Sequence, residues 1–435
     1  MSTSSVREVA EAAKHASRSL ASLDEAKRNH VLEAMASSLE QPEAELFAAN
    51  QRDMQCATAR SPEDALPAST LSRLKLTEDK LREMVEQVRS VAALPDPLNR
   101  KLDVIELDEG LNLEKISVPL GVLAVIFEAR PDAVTQIASL AIKAGNAVIL
   151  KPGREVEHTA KAIVRVLRDA LASEGVAEDA ISLVLGRGEV NELLAMHDLV
   201  DMVIPRGSKS LVEYVQANTR IPVLGHSEGI CHIYVDRAAD QELAIRVIDD
   251  AKLDYPAACN AVETVLVHRE IASDFLPRLL KRLGEKNVVV HGDEHVRALS
   301  NDVQPVAAWH CEYGEPELAV GVVDSLDAAI EHIHKHGSSH TESILTEDSA
   351  AAEKFLREVD AAGVFHNAST RFADGFRYGF GAEVGISTSK LHARGPVGLE
   401  GLTTYKYVLR GHGQVAVDYR GANARTFTHR REAKS

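Results

Sequence analysis

Aromatic side chains are scarce here, with one tryptophan, eight tyrosines and nine phenylalanines in 435 residues. No window is dominated by a single residue type, so the composition excludes a scaffold or a disordered chain and suits a soluble enzyme-like protein. Cysteine is scarcer still. The four cysteines, at 56, 231, 259 and 311, are too few and too scattered for a disulfide framework. None forms the C-x-x-C pair that would indicate zinc or a redox couple. Basic excess is also absent: the formal net charge of −16 argues against nucleic acid or an anionic membrane as a partner. An anionic small substrate must then be held by local basic groups. The start, Met1 to Lys14, has no apolar core of signal-peptide length, and no later apolar run approaches the span of a bilayer, so a cytoplasmic location is expected. There is no internal repeat, no low-complexity segment and no G-x-G-x-x-G.

The 45% of residues that are apolar supply ample material for burial, and the length suits two domains with a small appendage. Residues 1 to about 92 read as helices, because Val6, Val9, Ala10, Ala13 and Ala16, then Val31, Leu32, Met35, Ala36 and Leu39, recur at three-and-four spacing. Pro95 and Pro97 close that region. From Val118 short apolar runs alternate with amphipathic stretches, through Gly121–Phe127, Ala147–Leu150, Ile181–Leu185, Val200–Ile204 and Ile230–Val235. Such alternation implies an α/β fold with a parallel sheet covered on both faces. A second α/β series begins near Gln241. Leu102–Val118 and Thr404–Arg410 are alternating, edge-like segments suited to an arm that pairs with another subunit, or to a lid within one chain. The expected division is a cofactor-binding domain over 1–235 with the arm near 102–118, a catalytic domain over 236–370, and a C-terminal return and oligomerisation segment over 371–435.

Cys259 stands in Asp254-Tyr-Pro-Ala-Ala-Cys-Asn-Ala-Val-Glu-Thr264, a connection of small residues between a helix and a strand. A substrate can approach such a cysteine closely, and its thiolate is intrinsically nucleophilic. The other reading of any of these cysteines is a small buried hydrophobe, and that reading is kept for Cys56 and Cys231. In the first series one strand runs into Lys151 and Arg154, and another ends at Ile204-Pro-Arg-Gly-Ser208, just before a helix. Backbone amides at a helix start favour phosphate and glycine permits its close approach; tight strand-to-helix packing is the alternative.

These segments, together with Val323-Asp-Ser-Leu-Asp-Ala-Ala-Ile-Glu-His-Ile-His-Lys-His-Gly-Ser-Ser-His-Thr-Glu-Ser-Ile344, resemble the aldehyde dehydrogenase superfamily and, within it, the γ-glutamyl phosphate reductase family. The resemblance extends over Val118–His158, Val200–Val235, the Cys259 loop and Phe380–Gly413. It implies an aldehyde-dehydrogenase-like fold: a Rossmann-like cofactor domain, an α/β catalytic domain and a β-arm for oligomerisation, hence a homo-oligomer. Carried over by position, Cys259 is the nucleophile, Lys151 lies by the adenosine ribose, Gly207 and Ser208 lie by the pyrophosphate, and Glu312 contacts the nicotinamide ribose. The implied reaction is NADPH-dependent reduction of L-glutamyl 5-phosphate to the semialdehyde in proline biosynthesis, in functional pairing with a glutamate 5-kinase.

Three departures from the superfamily pattern are informative. Val223 stands where oxidising relatives carry a water-activating glutamate, so a thioester would have no base beside it and would resist hydrolysis. Arg154 stands where NAD-preferring relatives often place glutamate, which favours the 2′-phosphate of NADP(H), although a solvated surface arginine is the other reading. Glu128-Ala-Arg-Pro131 replaces the segment that supplies an oxyanion-hole asparagine, leaving the backbone N–H of Cys259, and Asn260, as candidates. The anionic substrate needs cations, for which Arg130, Lys390 and Arg394 are the candidates, each of them equally readable as a surface charge. His332, His334, His336 and His340 invite a metal reading, but no carboxylate or cysteine lies at ligand spacing beside them, so no metal is expected. The rival functions are a hydrolytic NAD-dependent aldehyde dehydrogenase and a catalytically silent relative.

Overall fold

A computed structural model describes residues 5–59, 66–186 and 188–431. Positions 1–4 and 60–65 of the expected helical region, and 432–435 of the expected C-terminal segment, lie outside the described residues. The chain divides into two compact units, Met1–Leu224 with Gly381–Val384 and Val397–Ser435, and Gly225–Phe380 with Gly385–Pro396.

The first unit opens with helices whose starts are written locally. Ser5 accepts from the Glu8 amide while the Glu8 carboxylate accepts from the Ser5 amide, a reciprocal cap that begins Val6–Leu20. Asp24 and Thr77 cap Glu25–Glu40 and Glu78–Ala93 in the simpler one-way form. Val6, Ala10 and Ala13 form one core with Val122, Ala124, Ala147 and Ile149. Small residues at that spacing let the helix lie close to the sheet.

Beneath the helices lie four parallel strands in the order Ile181–Leu183, Ala147–Pro152, Val122–Phe127, Met202–Arg206. Every residue of Val122–Phe127 and Ala147–Pro152 is buried, as expected of strands covered on both faces. The chain builds the sheet outward from Val122–Phe127 and then returns to its other side. The segments read as arm-like pair with each other. Thr403–Arg410 runs antiparallel to Leu111–Pro119, from Thr403 opposite Pro119 to Arg410 opposite Asn112, and Lys101–Asp108 lies on the other side of Leu111–Pro119. Tyr405, Tyr407 and Leu409 on this outer strand are exposed.

The second unit carries seven parallel strands in the order Gln304–Pro305, Val289–Gly292, Glu317–Val323, Val262–His268, Cys231–Val235, Thr341–Leu345, Gly363–His366. One expectation is corrected here. The Ile230–Val235 segment was read as closing the first series, yet Cys231–Val235 lies inside the second sheet, between Val262–His268 and Thr341–Leu345. A short buried apolar run reads alike in either sheet, and its membership is decided by pairing partners more than 25 residues away. Among the described residues, no helix is long and apolar enough to cross a membrane.

The second unit also buries polar groups. The backbone amide and Nδ1 of His232 lie 2.6 and 3.1 Å from Glu342 Oε2, with both residues buried. The His332 ring lies edge-on, 5.5 Å from that of His232. Burial, helped by His310 for one and by His232, His336 and Lys335 for the other, pushes His232 and His332 down to about 3, and burial pushes the Glu342 carboxyl up. The cluster is therefore held uncharged. A histidine whose pKa is depressed by folding contributes stability above its unfolded value, near 6.5, and loses it as the pH falls toward 3. The His332→Phe variant should accordingly gain on the wild type by up to about 1 kcal/mol per pH unit below pH 6. Urea midpoints of the two proteins measured from pH 7 to pH 4.5 check this, and parallel pH profiles would refute it.

Candidate active site

Strand order in the second sheet gathers the reactive groups. Val262–His268, Cys231–Val235 and Thr341–Leu345 are neighbours, with Cys231 opposite Val262 and His232 opposite Glu342. Residues just ahead of these strands therefore meet at the amino edge of the sheet. There His226, Cys259 and His340 each bring a nitrogen or sulfur atom within 4.8 Å of the other two. His340 is buried. Its Nδ1 lies 2.9 Å from Thr341 Oγ1 and 3.7 Å from Cys231 Sγ, and its Nε2 is buried with no partner among the described residues. His226 Nδ1 lies 2.8 Å from the Ile386 carbonyl. A carbonyl only accepts, so Nδ1 carries the hydrogen, which in the neutral ring leaves the lone pair on Nε2. The two rings meet edge to face at 4.9 Å.

The Cys259 loop is fixed from several sides. It joins the helix Gln241–Leu253 to Val262–His268, with Ala258 N–H donating to Tyr255 O and Ala261 N–H to Ala258 O. Asn260 Nδ2 donates to the carbonyls of Ala373, at 2.9 Å, and Arg371, at 3.5 Å, while Arg371 Nη1 donates to Asn260 Oδ1. In this arrangement the Asn260 amide holds the loop rather than offering an N–H to a substrate. Arg371 and Arg377 both reach Asp254, at 3.0 Å. Cys231 Sγ lies 3.4 Å from the Cys259 carbonyl, and burial pushes the Cys231 thiol up, so it stays protonated as the donor. At the roots of the loop, Lys252 and Glu263 pair at 2.8 Å, both fully buried. Burial outweighs their attraction, pushing Glu263 up to about 7 and Lys252 down. Gly314 N–H donates to Glu263 Oε1 at 3.3 Å from the 311–314 loop, where Glu312 is exposed.

In the first unit the remaining expected residues stand at the carboxyl edge of the four-stranded sheet. Val122–Phe127 and Met202–Arg206, where the strand order reverses, lead into Glu128–Arg130 and Gly207–Ser208. Such a reversal is where open α/β sheets form ligand crevices. Lys151 is buried, with Nζ donating to the Pro152 carbonyl at 2.8 Å, and burial pushes its pKa down. Arg154 is exposed, with no ion pair among the described residues, and Arg130 is half-buried. The Ser208 N–H, at the start of helix Lys209–Asn218, donates to Glu128 Oε2 at 2.8 Å. A Cβ at Gly207 would lie 2.3 Å from the same oxygen. The turn read as a phosphate site thus already holds an anionic oxygen, which is electrostatically apt at a helix start.

Lys390 and Arg394, in the second unit, both pair with Asp360, Arg394 Nη1 at 2.9 Å. Arg394 keeps Nε and Nη2 buried and without partners among the described residues, so its fork retains donors for another anion. Two readings need amendment. Val223 was taken to leave a Cys259 thioester with no base at hand; Val223 is half-buried and packs against the first unit's core, but two imidazoles lie by the sulfur. His340 was grouped with His332 and His336, whereas it belongs with Cys259. His226, Glu128 and Asp360 were missed, and no periodicity or spacing marks them.

Gly229 sets the loop's position, because a Cβ there would lie 2.0 Å from the Cys259 carbonyl oxygen and 2.5 Å from its Cα. Backbone cannot rotate away as a side chain can. Gly229→Ala should destabilise the protein by about 1–3 kcal/mol and change the rate at which iodoacetamide alkylates Cys259. Gly284→Ala, in open space within helix Arg269–Glu285, serves as the control that alters neither for the worse. Equal behaviour of the two variants in thermal melts and alkylation assays would refute the contact.

The model of the aldehyde dehydrogenase family matches residues 1–307. The chain is 53% identical to "Gamma-glutamyl phosphate reductase" of Synechococcus sp. (strain JA-3-3Ab) over 421 residues, 96% of this chain and 92% of that relative. It is 48% identical to the protein of the same name from Natronomonas pharaonis over 422 residues, 96% of each. The crystal structure of gamma-glutamyl phosphate reductase from Thermotoga maritima superposes with a TM-score of 0.92 at 38% identity, covering 95% of this chain and all of that one. An acetylating aldehyde dehydrogenase from Geobacillus thermoglucosidasius shares the fold, with a TM-score of 0.65 at 19% identity over 94% of this chain and 97% of that one. The chain belongs to the aldehyde dehydrogenase family and, within it, to the gamma-glutamyl phosphate reductases.

Proposed function

We propose that this protein reduces L-glutamyl 5-phosphate to L-glutamate 5-semialdehyde, releasing phosphate, through a thioester on Cys259 and at the expense of NADPH. The observation that carries the reading is the half-buried Cys259 sulfur with the nitrogens of His226 and His340 beside it, in a chain whose relatives are named for this reduction. An imidazole takes the thiol proton, the thiolate attacks the acyl carbon, and the bond to phosphate breaks, the proton leaving with the phosphate. A nicotinamide cofactor, when bound, would supply the hydride to the acyl carbon held on Cys259. The resulting alkoxide re-forms its carbonyl and expels the Cys259 thiolate, which takes up a proton to restore the thiol.

On the cofactor side, Lys151 is assigned to the adenosine ribose, Glu312 to the nicotinamide ribose and Gly207–Ser208 to the pyrophosphate. The anionic oxygen of Glu128 on the Ser208 amide supports that assignment, because it marks where a phosphate oxygen fits once the carboxylate withdraws. Exposed Arg154 is assigned to the 2′-phosphate. For the substrate, the unpartnered Nε and Nη2 of Arg394 favour it over Lys390 as the anion-binding group, with Arg130 a second candidate. The backbone N–H of Cys259 is the leading oxyanion donor, since the Asn260 amide is engaged elsewhere. The exposed tyrosines of the Thr403–Arg410 strand support a homo-oligomer, and the lability of an acyl phosphate supports pairing with a glutamate 5-kinase.

Run in reverse with glutamate semialdehyde and NADP+, the enzyme should form NADPH in proportion to added phosphate. Phosphate-independent oxidation would instead make it a hydrolytic dehydrogenase. Cys259→Ser should lose about a thousand-fold or more in turnover while keeping NADPH affinity in fluorescence titrations; retained turnover would displace the nucleophile. Arg154→Glu should lower the ratio of kcat/KM for NADPH over NADH by about ten-fold or more, and an unchanged ratio would remove the 2′-phosphate assignment.

A further inference from the structure

We infer that His226, Cys259 and His340 form a binding site for a borderline-soft divalent cation of the Zn2+ type, whose occupancy silences the cysteine reversibly. Among the described residues this is the one group of three histidine, cysteine or acidic side chains whose ligand atoms converge, all within 4.8 Å of one another. Two imidazole nitrogens and a thiolate are the donors such cations prefer, whereas Mg2+ and Ca2+ demand oxygen.

The surroundings match what orients a metal-binding imidazole. A ligating histidine usually directs its other ring N–H to a carbonyl, carboxylate or water, which fixes the tautomer and raises the basicity of the ligating nitrogen. His226 Nδ1 donates to the Ile386 carbonyl at 2.8 Å. His340 Nδ1 lies 2.9 Å from Thr341 Oγ1 and 3.7 Å from Cys231 Sγ, either of which accepts in the tautomer that carries its hydrogen on Nδ1. With the hydrogen on Nδ1 of each neutral ring, Nε2 is the nitrogen that a cation takes. His340 Nε2 provides a second, independent sign of a ligand, since it is wholly buried in a fully buried residue and has no partner among the described residues. A buried ring nitrogen of this kind normally finds a protein partner, a water or an ion.

Geometry asks for little movement. Bonds of about 2.0–2.1 Å to nitrogen and about 2.3 Å to sulfur place tetrahedral ligands roughly 3.4–3.6 Å apart, so side-chain rotations that contract the trio by about 1 Å suffice. The three protein ligands leave a fourth position for water. His332 and His336 do not compete as a site, because their rings pack on each other at 4.7 Å, with His232 and Trp309 around His332, and among the described residues no set of three ligands converges on them.

Binding of the cation is independent of the reaction proposed above; only the silencing rests on Cys259 being the nucleophile. A sulfur lone pair committed to the metal no longer attacks an acyl carbon, and an acylated sulfur no longer accepts the metal.

The test uses the full-length chain in metal-free, phosphate-free buffer, with Zn2+ titrated against a chromophoric chelator and each cysteine's alkylation by iodoacetamide followed by peptide mass spectrometry. The inference requires one tight equivalent of Zn2+, at least a ten-fold slowing at Cys259, no change at exposed Cys56, and reversal by EDTA. His340→Ala should weaken Zn2+ by ten-fold or more; His226→Ala is the second variant should the first not fold. Undiminished Zn2+ affinity in Cys259→Ser, unslowed Cys259 alkylation, or equal protection by Mg2+ would overturn it. The readouts separate the two hypotheses. A Cys259→Ser protein that is inactive yet binds Zn2+ undiminished removes the cation site and keeps the reaction, while one that turns over normally but has lost Zn2+ does the reverse.

Discussion

The site depends on the parallel pairing of three adjacent strands. Because Cys231–Val235 is flanked by Val262–His268 and Thr341–Leu345 in fixed register, the chain entering each strand is delivered to the same edge. His226, Cys259 and His340 are separated by 33 and 81 residues in the sequence, yet they need no dedicated scaffold to meet. A one-residue slip in any of these pairings would send its side chains to the opposite face of the sheet. The buried apolar faces that forbid the slip therefore hold the chemistry in place.

Much of the architecture was legible because its signals are local. Three-and-four spacing marked Val31, Leu32, Met35, Ala36 and Leu39, all buried on one helix, and the segment at Gln241–Leu253 is a helix over those residues. The accessibility of Cys259 was legible for a similar reason: small residues between a helix and a strand leave its sulfur partly exposed. What escaped was decided by contacts remote in sequence. Cys231–Val235 looked like the last strand of one series and is an inner strand of the other, since five buried residues carry no record of their neighbours. His226 lay in plain view within a segment read for its valine, and nothing in its surroundings by sequence points to the carbonyl of Ile386 160 residues away. Lys390 and Arg394 read as anion receptors by composition, but a single carboxylate at Asp360 meets both.

Desolvation is the second theme of the second unit. The Lys252–Glu263 pair and the His232–Glu342–His332 cluster place ionisable groups where charge is unfavourable, and in each case burial dominates the direction of the shift. Removing one member of such a set would strand the other as an uncompensated buried polar group. Asn260 ties the Cys259 loop to the backbone at Arg371 and Ala373.

The carboxylate of Glu128 on the Ser208 amide makes the first unit's crevice a place of substitution rather than vacancy. Any phosphate arriving there must displace a tethered competitor whose effective concentration never falls, so the apparent affinity is the intrinsic one divided among two claimants. The displaced carboxylate then becomes a negative charge beside the newcomer, unless it swings toward a cation. Release is favoured by the same tether: a departing anion leaves behind an amide that is quickly reoccupied.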